Sequence, residues 1–235
     1  MKNNIQEIFS EVPDTYEKIN HILTFGLDVQ WRKKLTKLAA NSGGDKWVDM
    51  CSGTGETAAN LHRASKNGTQ VFAVDFTREM LLKAAEKPEG KHIRFVISDV
   101  KSLPFPDNQF DVVTISFATR NLNINKESLL KSFSEFHRIL KPGGRFLNLE
   151  TSQPKNRFIR SIFHFFVKLF VKPIGSKISG STKGYTYLSA TIPRFYNAEE
   201  LSKILKEAGF AAVNVHSMML GAAAIHESFK STSNN

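Results

Sequence analysis

One cysteine, Cys51, is all the thiol chemistry this sequence holds. That excludes an intramolecular disulfide and any multi-cysteine metal site, and it suits a reducing compartment. No run of 18 apolar residues occurs, so a spanning helix is not expected. The N-terminal "MKNNIQEIFSEV" lacks the apolar segment of a secretory signal. Zinc-finger and RNA-binding signatures are missing, and the lysines and arginines are spread along the chain. The formal net charge of +10 is therefore not read as a nucleic-acid footprint. Low-complexity linkers and repeats are absent too. With 235 residues and 41% hydrophobic content, the expectation is one cytoplasmic domain over 1–235, with no metal.

What is present is an alternation of apolar runs and amphipathic stretches. Residues 14–40 read as helical, with Asp14 and Asp28 as starts and a turn at Gly26. "KWVDM", "QVFAVDF", "IRFVISDV" and "FDVVTISFA" read as four buried strands, the second ending at Asp75 and the third at Asp99. "RFLNLE" reads as a fifth, after the breaker "KPGG". Helices "ETAANLHRAS", "TREMLLKAAEK" and "KESLLKSFSEFHRIL" fall between them. "NAEELSKILKEAGF" reads as a helix capped by Asn197. "AAVNVHSM" and "LGAAAIHESF" suit a final strand pair, at least one antiparallel. The pattern predicts an α/β fold with a mostly parallel sheet covered on both faces.

The loop after the first strand, Gly53-Thr54-Gly55-Glu56-Thr57-Ala58, fits G-x-G-x-x-G/A. Gly53 and Gly55 would let the backbone turn tightly against a ligand. Asp75 follows 20 residues after Gly55, at a strand end, where a carboxylate can accept from ribose hydroxyls. These features suit a nicotinamide dinucleotide and S-adenosylmethionine equally. A hydride-transfer constellation such as Tyr-x-x-x-Lys is missing. Asp99 at the third strand end, and the polar loop after "FDVVTIS", lean toward the second cofactor.

That succession, with "LKPGGRFL" downstream, resembles the class I S-adenosylmethionine-dependent methyltransferases. The resemblance narrows with "TYEKINHILTFGLDVQWRK", "VDMCSGTGE", "VDFTREML", "LPFPDNQFDVVTISFATRNL", "ILKPGGRFLNLE", "YTYL" and "IPRFYNAEELSKILKEAGF", in order over residues 12–230. Together they look like the ubiquinone/menaquinone biosynthesis C-methyltransferases. The resemblance implies a Rossmann-like seven-stranded sheet with an antiparallel C-terminal strand pair, and helical N-terminal and acceptor-side cap segments. It also implies C-methylation of a prenylated quinol, demethylmenaquinol to menaquinol, with a ubiquinone precursor as the alternative substrate. S-adenosyl-L-methionine would be the cofactor, and a homodimer is compatible. Carried over by position, Thr54 and Asp75 would contact the cofactor, Asp99 and Val100 would border adenine, and Ser116 would line the site. For Val100 the alternative is packing, and for Ser116 a strand-end cap. Arg120 would stabilise a phenolate or orient a water, and Asn121 would orient the same hydroxyl or water. Tyr16 would lie near the ring or pack its helix. Tyr185 and Tyr187 would flank the quinone or anchor the cap. Cys51 reads as packing, not as a nucleophile.

In "RFIRSIFHFFVKLFVK", residues 157–172, Arg157, Arg160, His164, Lys168 and Lys172 recur at spacings of 3, 4, 4 and 4. On one helix they form a polar stripe among phenylalanines that include Phe166. The two readings are a buried cap helix and an interfacial helix that meets anionic lipid and admits a prenyl tail, giving peripheral contact with a membrane's inner face.

Overall fold

The computed structural model describes residues 13–179 and 182–232, with side chains over 17–178 and 184–232. The chain opens with α1 (Pro13–Leu23) and α2 (Leu27–Ser42), then alternates: β1 (Lys46–Met50), α3 (Glu56–Ala64), β2 (Gln70–Asp75), α4 (Arg78–Ala85), β3 (Ile93–Ile97) and β4 (Phe110–Ser116). After a short α5 (Thr119–Leu122) come α6 (Lys126–Ile139) and β5 (Leu140–Thr151). The segment α7 (Arg157–Phe166), α8 (Lys172–Ser179) and α9 (Thr182–Thr191) then precedes α10 (Ala198–Glu207), β6 (Ala212–Met218) and β7 (Ala223–Phe229).

The sheet order is β3-β2-β1-β4-β5-β7-β6. Five strands pair in parallel, while β7 runs antiparallel between β5 and β6. Strand alternation explains the two cores. Trp47, Val71, Ala73 and Val112 face Leu35 and Ala39 of α2 and Ala58 and Leu61 of α3. Val48, Met50, Phe72, Val74 and Val113 face Phe133 and Phe136 of α6 and Leu201 and Ile204 of α10. Both faces being covered is why the central strands read as near-continuous apolar runs. A third cluster, Ile19, Val167, Val171 and Tyr185, ties α1 to the α7–α9 segment. The fold is the Rossmann-like architecture of the class I methyltransferases, with the antiparallel strand contributed by β7.

Local differences have physical causes. "KPGG" does not break the strand: β5 already begins at Leu140. Its pairing jumps from Phe110↔Leu140 to Val112↔Arg145, so the Pro-Gly-Gly stretch is accommodated as an irregularity within the strand. Strand β3 stops at Ile97, short of Asp99. Asp28 does not cap α2, which follows Gly26 at φ 75°. Asp28 is instead buried in the first turn, accepting from Thr24 Oγ1 at 2.9 Å and meeting His21 Nδ1 at 3.0 Å. Asn197 caps α10 in a capping box with Glu200.

Residues 157–172 are not one α-helix. A π-turn at Val167–Val171 separates α7 from α8. The solvent side of α7 carries an apolar stripe beside Arg157 and Ser161: Phe158 and Phe165 are 73% and 65% exposed, with Ile162 between them and Leu169 of the π-turn continuing the spacing. Phe25, in the α1–α2 turn, is 75% exposed and meets Phe166 at 5.9 Å between ring centroids. No helix among the described residues is long and apolar enough to cross a membrane.

Candidate active site

The carboxyl ends of β1, β2 and β4 open into a cavity of about 360 Å³, where ligands sit in open α/β sheets. Cys51, at φ 49°, and Phe117, at φ 57°, immediately follow the two central strands. Non-glycine residues held in the left-handed region are strained, and such strain gathers at binding sites. The Cys51 thiol is pushed well up, chiefly by burial and then by the carboxylates around it, so it is no thiolate.

Asp75 closes β2 and is buried. Its Oδ2 accepts from the Gly53 amide at 2.8 Å and its Oδ1 from the Thr77 amide at 2.9 Å. Held on both oxygens, the carboxylate is fixed in place, and as an acceptor-only group it suits a vicinal diol. Burial raises its pKa, with hydrogen bonds from Thr77, Gly53 and Phe76 acting against that.

The two loop glycines have different roles. Gly53 lines the cavity at φ 55°, and a Cβ there would meet nothing within 4 Å. Gly55 does not line it: at φ 81°, its Cβ would stand 2.7 Å from Ala84 Cβ. Gly55 therefore lets α3 and α4 approach each other, a correction to its expected place against a ligand.

Thr54, Asp99, Val100, Ser116 and Asn121 all reach the wall. Asp99 Oδ1 accepts from the Lys101 amide at 3.1 Å, and Ser116 Oγ accepts from Thr57 Oγ1 at 3.0 Å. The Asn121 Oδ1 atom is buried without a partner, which marks a place for an external donor.

Arg120 is placed otherwise than the sequence suggests. Its guanidinium is buried against Glu150, Nη1 to Oε1 at 3.0 Å, and Glu150 Oε2 accepts from the Arg120 amide. It does not line the cavity. Tyr187 lies within reach of that pair: burial raises its phenol, and the Arg120 charge acts against the rise. Tyr185 is a buried core residue whose ring fills the space left by Gly175. Phe166 is partly buried in the same cluster and Lys168 is exposed. Tyr16 and Asp14 belong to α1, but their side chains lie outside the described residues. No group of three or more His, Cys, Asp or Glu among the described residues is placed to hold a metal.

Sequence reasoning missed Arg32, Glu17 and Glu56, which also line the cavity. Arg32, flanked by Lys33 and Lys34, reads as a solvated basic face. The missed signal is helical spacing, which puts Arg32 on the same stripe as buried Leu35 and Ala39. Glu17 and Glu56 share Lys87, at 3.0 and 2.7 Å. Burial is the largest influence on Glu56 and opposes its ionisation; the Lys87 bond and charge, with Glu17 and Arg32, together outweigh it, so its pKa is lowered.

The wall thus carries four carboxylates, Glu17, Glu56, Asp75 and Asp99, the first two sharing Lys87, against two lining cations, Arg32 and Lys101. An acidic wall attracts a cationic ligand and repels a pyrophosphate. Together with the fixed Asp75, it fits a sulfonium nucleoside better than a dinucleotide.

Known proteins point the same way. A sequence model of the ubiE/COQ5 methyltransferase family matches residues 1–230. The chain is 35% identical, over 97% of each chain, to a protein of Staphylococcus saprophyticus named demethylmenaquinone methyltransferase. It is 33% identical to the ubiquinone/menaquinone biosynthesis C-methyltransferase UbiE of Desulfotalea psychrophila, over 94% of this chain and 88% of that one. Among solved structures, an S-adenosylmethionine-dependent methyltransferase from Aquifex aeolicus superposes with a TM-score of 0.57. That pair shares 19% identity and covers 83% of this chain and 88% of the other.

Proposed function

The chain belongs to the ubiE/COQ5 methyltransferase family, and from that membership we propose that it methylates a ring carbon of a prenylated quinol, demethylmenaquinol to menaquinol. The cofactor is S-adenosyl-L-methionine, which when bound supplies an electrophilic methyl group on a cationic sulfur. The observation that carries the substrate is the near-full-length similarity to a demethylmenaquinone methyltransferase. The alternative substrate, a ubiquinone precursor, rests on the UbiE relative.

The residues divide the work. Asp75 accepts from the ribose hydroxyls, Asp99 and Val100 border the adenine, and Thr54, Gly53 and Ser116 line the centre. A quinol ring carbon becomes nucleophilic as its hydroxyl loses a proton. The unpartnered oxygen of Asn121 orients that hydroxyl or a water. Arg120, expected at the phenolate, is paired with Glu150 behind the wall and steadies α5, which carries Asn121. Arg120 is no base, because a guanidinium keeps its proton. Tyr187 flanks the ring, and Tyr185 supports the cap it stands on.

The exposed apolar face of α7, with Phe166 behind it and Lys168 beside it, meets the membrane surface in which a prenylated quinol resides. A second copy of the chain is compatible with this arrangement and is not required by it. The deciding experiment follows methyl transfer from labelled S-adenosylmethionine to demethylmenaquinol and to the ubiquinone-type precursor side by side. Label in the menaquinol product is expected; label in neither product refutes the proposal.

A further inference from the structure

Arg32 stands apart from every other cation of the cavity region. It is 8% exposed, yet it makes no direct ion pair with a described carboxylate; Asp49 and Glu56 feel its charge only across a gap. Its Nη1 donates to Thr57 Oγ1 at 2.8 Å, and its guanidinium lies 5.1 Å from the centroid of the Phe117 ring. Those contacts aim the head group at the cavity wall and leave its Nε buried with no partner. A buried guanidinium with no carboxylate in direct contact is costly, and an orphaned buried donor is costly as well. A guanidinium placed in this way is suited to receive an anion from the cavity side.

The cofactor of a methyltransferase carries two cations, its sulfonium and its ammonium, which the four wall carboxylates suit. It carries one anion, the α-carboxylate of its methionine part. Two wall cations could meet that anion. Lys101 directly follows Asp99 and Val100 beyond β3. Arg32 instead is bonded to Thr57, which is bonded in turn to Ser116 at the end of β4. Asp75 fixes the ribose at the end of β2, between these two regions in the sheet order. With adenine toward β3, the methionine part extends toward β1 and β4, to Arg32.

We propose that Arg32 is the anchor for the cofactor's α-carboxylate, held ready by Thr57 and the Phe117 ring. The proposal rests on the methyltransferase reading and adds a binding residue to it. Phe117 thereby gains a reason for its left-handed backbone: that conformation goes with a ring placed against the guanidinium, a cation–π contact.

The test uses calorimetry on the full chain and on Arg32→Gln and Arg32→Lys, with two ligands. S-adenosylhomocysteine has the amino-acid carboxylate; 5′-methylthioadenosine has the same nucleoside and thioether without it. Arg32→Gln is expected to lose about tenfold or more in affinity for S-adenosylhomocysteine and about twofold or less for methylthioadenosine. Arg32→Lys, which keeps the charge and loses the fork, should fall between parent and Gln variant. Retained methylthioadenosine binding also reports an intact pocket. Equal losses on both ligands would make Arg32 a structural residue and overturn the anchor. Unchanged S-adenosylhomocysteine affinity with reduced methyl transfer would assign it to the acceptor and overturn it equally. A parent chain that binds neither ligand would instead overturn the cofactor assignment itself.

Discussion

Asp75 illustrates what a single side chain can and cannot reveal before its surroundings are known. Its distance from the glycine loop and its place at a strand end made it legible in the sequence. The amides of Gly53 and Thr77 that pin both its oxygens were not, because they come from backbone brought together by the sheet. Asp75→Ala should weaken S-adenosylhomocysteine binding by about tenfold or more, with a calorimetric titration as the check; parental affinity would remove its ribose role. Arg120, singled out in the polar stretch after β4, lies in α5 with its guanidinium turned to Glu150. Nothing in "ATRNL" announces a partner 30 residues away. Gly55 was legible as a special position and misread as to cause, since its neighbour Ala84 belongs to the next helix.

Two buried titratable groups make a further residue-scale prediction. Burial raises Asp49 from 3.8 to about 6. The folded state binds that proton more tightly than the unfolded chain, so this contribution to stability falls as pH rises through that window. Burial lowers His226 from 6.5 to about 4. The folded state resists that proton, so this contribution falls as pH drops through its own window. The two slopes oppose each other between pH 4 and 6. Asp49→Asn, which keeps an acceptor for Thr114 Oγ1, should raise Tm near neutral pH by an amount equivalent to up to about 3 kcal/mol. The gain should fade on acidification to about pH 4. A Tm-against-pH curve parallel to the parent's would refute the burial of a charged Asp49.

At the scale of elements, strand runs and the Asn197 cap are legible because their causes are local, alternation, a capping side chain and apolar runs, whereas Asp28 is drawn into the first turn of α2 and leaves the cap position to Gly26. The failures share a non-local cause. "KPGG" is a breaker by propensity, but pairing with β4 on one side of the irregularity and the other carries the strand through it. The basic periodicity of residues 157–172 drew attention to the charges of α7. Packing against Ile19 and Tyr185 uses up only one apolar side, and phenylalanines remain on the other. Hence the apolar stripe, more than the basic one, should govern membrane contact. Phe158→Ser combined with Phe165→Ser is expected to reduce co-flotation with anionic liposomes several-fold while leaving Tm within a few degrees, because both side chains are exposed. Equal flotation of variant and parent would remove the interfacial role of α7.

Over the whole molecule, charge is less evenly spread than the distribution of lysines and arginines suggests. No Asp or Glu occurs between Glu150 and Glu199, while that stretch holds eight lysines and arginines, Lys155 through Arg194. It therefore carries most of the formal charge of +10. Reading where cations lie missed what the absence of acids does: one segment is left cationic, and it is the segment that bears the apolar stripe. Such a surface gains from an anionic bilayer, and screening weakens the gain. Binding to phosphatidylglycerol vesicles should drop as salt rises from about 0.1 M to about 1 M, where the Debye length shortens from about 10 Å to about 3 Å. A residual part should survive, carried by the apolar stripe. Sedimentation with vesicles measures both parts, and salt-independent binding would exclude the electrostatic one.

The position of β7 has a consequence for how the molecule comes into being. Edge strand β6 is held in the sheet only through β7, which is made after it. Until residues 223–229 have been synthesised and have left the ribosome, β5 presents an unpaired edge to the crowded surroundings of a nascent chain, and β6 has no strand to join. Folding of the sheet therefore cannot be completed in the order of translation. It waits for one late strand to slide between two earlier ones, and during that wait the half-finished sheet is open to chaperones and to other growing copies of itself.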